Sequence, residues 1–130
     1  MKVLVAPDKF AGTLSAVEAA SAIAEGWRRT CPDDEMVLVP LADGGPGFLD
    51  VLEASLGGRK VPALVRGPLG DPVPAAVLLV GDTAYVETAQ ACGLHLVPQE
   101  RRDPRATTTH GVGELVALAV AEGARRIVLG

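Results

Sequence analysis

V-L-V-A-P-D-K-F-A-G-T-L-S-A-V-E, residues 3–18, combines an apolar strand, a polar loop and the start of a helix. Met1–Pro7 is mostly aliphatic, which predicts a central strand of a parallel sheet that is covered on both faces. Pro7 ends the strand because proline has no N–H for the ladder. Ser15–Glu18 forms a capping box, so a helix begins next to it. Ligands of open α/β sheets bind in the loop between such a strand and helix. Here that loop carries Asp8, Lys9, Gly12 and Thr13.

Two β–α units follow one another at the start of the chain. The first helix is predicted over Ala16–Arg29, and its apolar seam consists of Val17, Ala20, Ala24 and Trp27. A second strand is predicted over Glu35–Leu41, a glycine-rich loop over Ala42–Gly47 and a helix over Pro46–Leu56. The buried face of this helix is predicted to consist of Phe48, Leu49, Leu52 and Leu56. Short connections in the order β-α-β-α favour a parallel sheet.

The pattern changes after Arg59. Short apolar runs separated by proline and glycine predict antiparallel strands over Val73–Val80 and Ala84–Val86, with a hairpin turn at Gly81-Asp82. A short helix is predicted over Ala89–Leu94, and a charged irregular loop over His95–Ala106. This part is interpreted as an insertion into the β-α-β-α unit or as a second domain beside it.

The last segment begins T-T-T-H-G-V-G-E at Thr107 and predicts a well-buried helix that ends near Gly123. Its apolar residues, which leave little polar face, are Val112, Leu115, Val116, Leu118, Ala119 and Val120. A strand is predicted over Ala124–Leu129. We therefore expect three parts: 1–59 as the first part of an α/β domain, 60–106 as part of a smaller β-rich domain, and 107–130 as an incomplete α/β unit. A parallel strand that stops at Gly130 leads us to expect a truncated chain.

Composition excludes several classes of protein. The 130 residues are 48% hydrophobic and carry a formal net charge of −4, with no basic stripe, so nucleic-acid binding is not expected. No apolar run reaches the length of a membrane span, and the N-terminus does not have the pattern of a signal peptide. Cys31 and Cys92 lack metal-ligand spacing and are interpreted as reduced thiols, which predicts a cytoplasmic protein.

Three loops precede helices and are rich in glycine or hydroxyl groups: Asp8–Thr13, Asp43–Gly47 and Thr107–Gly113. Glycine lets a backbone approach a ligand closely, and a helix start offers free N–H groups to phosphate or carboxylate. The chain contains no G-x-x-x-x-G-K-[ST], which excludes a P-loop here, and Gly111-x-Gly113 lacks the third glycine of the dinucleotide motif. The sequence therefore predicts an α/β protein that binds a small anionic, phosphorylated ligand, without choosing a reaction.

The charged residues near these loops each have two interpretations. Asp8 and Asp43 both follow a parallel strand, so they can face one crevice and hold Mg²⁺ or accept a hydroxyl proton. Asp43 has the alternative of capping the second helix, and Glu87 that of capping or ion pairing. His110 is interpreted as packed or solvated. Arg102 and Arg105 can clamp an anion or belong to a solvated charge run.

Five blocks, in order, resemble the type I glycerate kinase family: A-P-D-K-F-A-G-T-L-S-A (6–16), P-L-A-D-G-G-P-G (40–47), G-P-L-G-D-P-V (67–73), E-T-A-Q-A-C-G-L (87–94) and T-T-T-H-G-V-G-E-L (107–115). The resemblance implies a Rossmann-like or flavodoxin-like parallel sheet with a second, smaller β-rich α/β domain inserted. It also implies ATP- and Mg²⁺-dependent phosphorylation of D-glycerate, at the 2-hydroxyl rather than the 3-hydroxyl. Two positions depart from the family pattern, Ala11 in place of lysine and Pro46 in place of glutamate.

The resemblance implies catalytic roles for Asp8, Lys9 and Asp43. The metal ligand is left unknown, with Asp8 and Asp43 as the two candidates. Substrate or phosphate binding is expected at Gly12, Thr13, Gly44, Gly45, Arg102, Thr107, Thr108, Thr109, Gly111 and Gly113. The expected partners are D-glycerate and nucleotide, without nucleic acid or membrane, and a homodimer is left open. Two alternatives remain: a non-catalytic fragment that binds an anion without turnover, and an unrelated flavodoxin-like binding domain, which would need an aromatic-lined flavin pocket.

Overall fold

The computed structural model describes all 130 residues, Met1–Gly130, as a mixed α/β chain with two separate sheets. The helices are α1 (Ala16–Thr30), α2 (Phe48–Leu56), α3 (Ala89–Cys92) and α4 (His110–Ala121). The strands are β1 (Lys2–Val5), β2 (Glu35–Leu38), β3 (Arg59–Arg66), β4 (Pro72–Val80), β5 (Thr83–Val86) and β6 (Arg126–Leu129). The α/β class predicted from the sequence is confirmed. No helix combines the length and the hydrophobicity that crossing a lipid bilayer requires.

The first sheet contains only β1 and β2, which run parallel with Lys2 opposite Glu35 and Val5 opposite Leu38. The capping box predicted for α1 is present: the Glu18 N–H donates to Ser15 Oγ at 3.2 Å, and the Ser15 N–H donates to Glu18 Oε2 at 2.8 Å. These bonds to Ser15 lower the pKa of the Glu18 carboxyl. Both strands are shorter than predicted and end at Val5 and Leu38, although the Leu41 N–H still donates to the Pro7 carbonyl at 2.9 Å.

Coverage of the first sheet on both faces was predicted, and for this chain that prediction is wrong. Leu4 is 65% exposed, because α1 packs against the two strands on the side of buried Val5. The seam of α1 is also rotated from the predicted one. Trp27 is 38% exposed and donates from its indole Nε1 to Asp34 Oδ2 at 2.9 Å, so it lies at the end of the helix. The residues that α1 buries are Ala16, Ala19, Ala20 and Ala24.

The second sheet has four strands in the order β3-β4-β5-β6. The first three are antiparallel, as the hairpin signals predicted, and β6 lies parallel to β5 with Thr83 opposite Arg126. α3 and α4 pack against this sheet. They enclose a core of Val65, Ala75, Val77, Ala84, Val86, Ala91, Leu115 and Ala119. In this chain β6 therefore belongs to the same sheet as the hairpins, and α4 packs on that sheet.

Several details of the predicted elements differ. Leu56 and Val120 were predicted on buried helix faces. Leu56 is 50% exposed and Val120 is 60% exposed, so this prediction is wrong for both. Only Leu49 is fully buried on α2, because this helix lies at the boundary between the two sheets. α3 is shorter than the predicted helix. The loop expected to be irregular contains two 3-10 turns, Leu94–Leu96 and Gln99–Arg101.

Candidate active site

An ion pair joins the loops that follow β1 and β2. Lys9 Nζ lies 3.2 Å from Asp43 Oδ1 and 3.9 Å from Asp8 Oδ1. The two loops meet because parallel neighbours end at the same edge of a sheet, as the sequence predicted. The Lys9 side chain is 24% exposed and that of Asp43 is 67% exposed, so the ammonium is the more enclosed partner. An enclosed cation beside two carboxylates is able to contact an incoming anion and a hydroxyl group together.

The carboxylate of Asp43 is fixed by its own loop. The Gly45 N–H donates to Asp43 Oδ1 at 3.0 Å, and this bond, with the bond and charge of Lys9, lowers the pKa of Asp43. Any side chain at Gly45 would crowd this arrangement, because its Cβ would lie 3.1 Å from Asp43 Oδ1 and 3.9 Å from Lys9 Nζ. Asp43 therefore stays an ionised acceptor, and it does not cap α2 as one interpretation of the sequence proposed.

The loop after β1 is held by its own backbone. Asp8 Oδ1 accepts the Lys9 N–H at 2.6 Å, which leaves the other oxygen of that carboxylate free of protein bonds. The Phe10 carbonyl accepts the N–H and hydroxyl of Thr13, both at 2.9 Å, and the Leu14 N–H at 3.1 Å. Gly12 has a φ of +80°, which completes this tight turn. The hydroxyl proton of Thr13 is thereby used within the loop.

A cavity of about 300 Å³ opens between this loop, the start of α1 and the start of α2. Such a volume lies at the lower end of the range for small-molecule sites. Four of the predicted site residues line it, namely Asp8, Lys9, Gly12 and Thr13. Asp43 does not line it, but it pairs with Lys9, which does. Gly44 and Gly45 do not line it, and Gly44 lies instead against the backbone of Gly130, to whose Cα a Cβ would be 3.5 Å.

The start of α2 is capped from a distant part of the chain. Glu87, which directly follows β5 and is 5% exposed, accepts from the Gly47 N–H at 3.2 Å and the Leu49 N–H at 3.1 Å through Oε2. Gly47 is the N-cap residue, with a φ of +94° and no side chain to bond the helix start. The capping alternative weighed for Glu87 is therefore the observed one, although the helix it caps is not its own.

The segment Thr107–Gly113 lines other cavities. Arg102 and the three threonines 107–109 line a cavity of about 320 Å³, together with Pro68 and Cys92. Thr108 Oγ1 accepts the His110 N–H at 3.1 Å, and the Thr108 N–H donates to the Pro68 carbonyl at 3.0 Å. Thr109 and Gly113 line an adjoining open groove with Thr88. This segment therefore does not share the Lys9 cavity.

Gly111 has a packing role that the sequence did not reveal. The residue is buried where α4 crosses β3, and a Cβ there would lie 2.1 Å from the Arg66 carbonyl oxygen. Its lack of a side chain is explained by this close approach of helix and strand. Nearby, Glu114 accepts the Arg66 N–H at 2.7 Å and lies 3.3 Å from His110 Nε2. His110 is half exposed, in agreement with its interpretation as a solvated residue.

The two candidate arginines differ in their surroundings. Arg102 Nε donates to the Val97 carbonyl at 3.3 Å, which directs its side chain along the wall of the 320 Å³ cavity. Arg105 bonds Asp103, and those bonds lower the pKa of the Asp103 carboxyl. Arg105 thus belongs to a surface ion pair with a 90% exposed guanidinium. Of the two arginines, Arg102 is the one that lines a cavity.

A resident metal ion requires several donor side chains gathered in one place. No cluster of three or more His, Cys, Asp or Glu side chains is present. The space between the carboxylates of Asp8 and Asp43 faces the Lys9 ammonium, which neutralises their charge. These residues do not form a dedicated metal site, since Mg²⁺ asks for oxygen ligands in octahedral geometry.

Comparison with known proteins agrees with this architecture. The model of the glycerate kinase family matches residues 3–130. Over the whole chain, glycerate kinase of Bacillus subtilis and glycerate 2-kinase of Escherichia coli are each 46% identical. A crystal structure described as glycerate kinase 2 from Salmonella typhimurium LT2 superposes with a TM-score of 0.82 at 43% identity, again over 100% of this chain.

The chain spans about a third of these relatives, 35% of the length of each. The similarity nevertheless covers both sheets and all four helices, because the family model begins within β1 and continues to Gly130. The chain belongs to the glycerate kinase family.

Proposed function

We propose that this chain supplies part of the active site of a glycerate kinase, which transfers the γ-phosphoryl group of ATP to a hydroxyl of D-glycerate. The observation that carries the proposal is the Lys9–Asp43 pair beside a cavity at the carboxyl edge of a parallel sheet. The 2-hydroxyl is the proposed acceptor, in line with the name of the Escherichia coli relative. The segment acts within an enzyme of the full family length, in the cytoplasm.

Each of the three charged residues has a proposed role. Phosphoryl transfer passes through a loose transition state, so it depends more on positioning and charge than on covalent chemistry. Lys9 neutralises the glycerate carboxylate or the transferring phosphoryl group. Asp43, whose pKa is lowered by Gly45 and Lys9, accepts a hydrogen bond from the attacking hydroxyl and orients it. Asp8 shares this hydrogen bond from the attacking hydroxyl through its free oxygen.

The remaining site residues form a second part of the proposal. Arg102 with Thr107, Thr108 and Thr109 offers a guanidinium and hydroxyl groups in one cavity, which is the chemistry that binds phosphate or carboxylate oxygens. Gly113 lines the adjoining groove. Gly12, Thr13, Gly44 and Gly45 shape the loops so that the backbone comes close to the ligand.

Magnesium enters the proposal with the nucleotide. Mg²⁺ in phosphotransferases keeps several water ligands and binds through one or two carboxylates and the substrate phosphates. We therefore treat MgATP as the substrate, with the free oxygens of Asp8 and Asp43 as the carboxylates nearest to it. No step depends on a resident ion in this segment.

The division of the chain is also a proposal. Residues 1–59, with the parallel sheet, are assigned to a Rossmann-like domain, and the smaller β-rich domain inserted into it starts near residue 60. Residues 107–130 pack with the second sheet through α4 and β6, and their last residue, Gly130, contacts Phe48 and Gly44 of the first part. We place the boundary between the two domains at β6.

The experiment measures phosphorylation of D-glycerate by a full-length enzyme that contains this segment. Asp43→Asn is expected to lower kcat by about 10²-fold, the scale of a positioned acid–base group. Asp33→Asn makes the same chemical change in an exposed turn and is expected to keep wild-type turnover. Turnover within a factor of a few of wild type in Asp43→Asn would remove Asp43 from the site. Assay of the 130-residue chain alone separates catalysis from anion binding without turnover.

A further inference from the structure

We propose that Glu87 is a positioning residue, which holds the Asp43 loop in its working geometry from the second sheet. The inference rests on the proposed function, because the geometry in question is that of the Lys9–Asp43 pair. Glu87 is the one charged side chain in the buried set, and no step of the phosphoryl transfer outlined above uses it. Glu87 directly follows β5, and its carboxylate contacts the start of α2, so it joins elements that are about 40 residues apart in sequence.

Hydrogen bonds and the short stretch of backbone between them connect Glu87 with the ion pair. Glu87 Oε2 accepts the Gly47 and Leu49 N–H groups. Between them, the Phe48 N–H donates to the Gly45 carbonyl at 3.1 Å. The Gly45 N–H donates in turn to Asp43 Oδ1, which lies 3.2 Å from Lys9 Nζ. A displacement of the α2 start therefore moves the backbone that orients Asp43.

The loop has no side chain that caps the start of α2. Its sequence, A-D-G-G-P-G over residues 42–47, contains three glycines, and two of them have a positive φ. The N-cap residue has no side chain, so the first N–H groups of α2 require a partner from elsewhere. Glu87 supplies that partner, and its negative charge is favourable at the positive end of the helix dipole. Buried N–H groups left without it are costly, so the loop would shift to satisfy them.

The neighbouring residue strengthens the same junction. Thr88 donates to the Gly130 carbonyl from both its N–H, at 2.9 Å, and its hydroxyl, at 2.8 Å. Gly130 in turn packs on Phe48, the first residue of α2. The two residues that follow β5 therefore hydrogen-bond both neighbours: Glu87 bonds the start of α2, and Thr88 bonds Gly130 at the end of β6. The backbone at Glu87 is therefore held by the sheet and by the bonds of Thr88, so its carboxylate can position the glycine-rich loop.

The test uses the full-length enzyme, with kcat and KM for D-glycerate measured at saturating ATP. Glu87→Ala is expected to lower kcat by about 10- to 100-fold, the loss that follows a displacement of about 1 Å in a catalytic group. Glu87→Gln retains an acceptor oxygen and is expected to lose less, within about threefold of wild type. Hydrogen exchange over residues 43–49 is expected to become faster in the alanine variant.

Lys60→Met is the matched control. Lys60 also ties α2 to the second sheet, through Asp50 at 2.8 Å and Glu53 at 2.6 Å, but it does not touch the loop. This variant is expected to lower the melting temperature while leaving kcat and the exchange over residues 43–49 unchanged.

A double-mutant cycle with Asp43→Asn separates positioning from general stability. If Glu87 acts through Asp43, Glu87→Ala changes kcat by less than about threefold once Asp43 has already been replaced. Losses that multiply in the double variant, or an unchanged kcat in Glu87→Ala, would overturn the proposal. If the alanine variant does not fold, Glu87→Leu, which fills a similar volume without an acceptor oxygen, takes its place in the cycle. Wild-type turnover in Asp43→Asn alone would refute the proposed role of Asp43, and the exchange measurement would then decide whether Glu87 orders the loop.

Discussion

Two glycines in the first turn of α4 are expected to respond oppositely to the same substitution. Gly111→Ala places a Cβ 2.1 Å from the Arg66 carbonyl oxygen, where ordinary contact begins at 3.4 Å, so α4 and β3 must separate by about 1.3 Å. Gly113→Ala meets nothing within 4 Å. Both variants gain the helix preference of alanine over glycine, about 0.5–1 kcal/mol. The difference between them therefore isolates the cost of the clash.

The expected magnitudes follow from packing. Overfilling a packed contact costs typically about 1–3 kcal/mol, and here the neighbour is rigid backbone, so Gly111→Ala is expected to lose about 2 kcal/mol net. The separation also stretches the bond of 2.7 Å between Glu114 and the Arg66 N–H. Gly113→Ala is expected to gain about 0.5–1 kcal/mol. Thermal unfolding followed by circular dichroism should place the two melting temperatures on opposite sides of wild type, with about 4 °C for each kcal/mol.

The refuting outcome is specific. A Gly111→Ala variant as stable as wild type would mean that the helix does not approach β3 as closely as described, and the glycine would need another explanation. The alternative explanation is that Gly111 contacts a ligand, as predicted from the sequence. Stable Gly111→Ala with reduced activity would therefore restore Gly111 to the binding residues.

Two further predictions concern the start of α1 and the ion pair. Ser15→Ala removes the capping box and is expected to cost about 1 kcal/mol, measured by thermal unfolding against wild type, with unchanged stability as the refuting result. The pKa of Asp43 is expected to lie below its ordinary value of 3.8, and Lys9→Met should raise it only in part, since the bond from the Gly45 N–H remains. NMR titration of the carboxyl carbon checks this. Because the folded-state pKa is the lower one, the pairing stabilises the fold above the ordinary value and is lost as pH falls through the folded value.

The features that could be predicted from the sequence are those with a local cause. The capping box specifies its two bonds within four residues, and the structure contains both. Turn residues at Gly81-Asp82 separate two β-rich runs and give an antiparallel pair. The meeting of Lys9 with Asp43 was predictable for a more general reason. The carboxyl ends of neighbouring parallel strands share one edge of the sheet, so residues that follow them lie close together.

The features that could not be predicted depend on a partner whose position is not encoded nearby. Trp27 matches the helical seam by spacing, yet it turns to Asp34 because that carboxylate offers a bond to its indole N–H. The hydroxyl-rich start of α4 resembles a binding loop, but it lines cavities apart from that of Lys9. Spacing predicts which residues share a face of one element, whereas the choice of cavity depends on how the two sheets are placed.

The start of α2 is the clearest example of a contact that could not be predicted from nearby residues, because the group that caps the helix comes from the other sheet. A helix that follows G-G-P-G has no side-chain cap, and sequence rules make Asp43 the natural substitute. In the structure Asp43 is held by Gly45 and Lys9, while Glu87 caps the helix from the other sheet. Asp43 is thereby left to pair with Lys9, because Glu87 bonds the helix start instead. In this chain the missing local cap is therefore replaced by a buried acidic residue at a strand end, which bonds the helix start and ties the Asp43 loop to the second sheet.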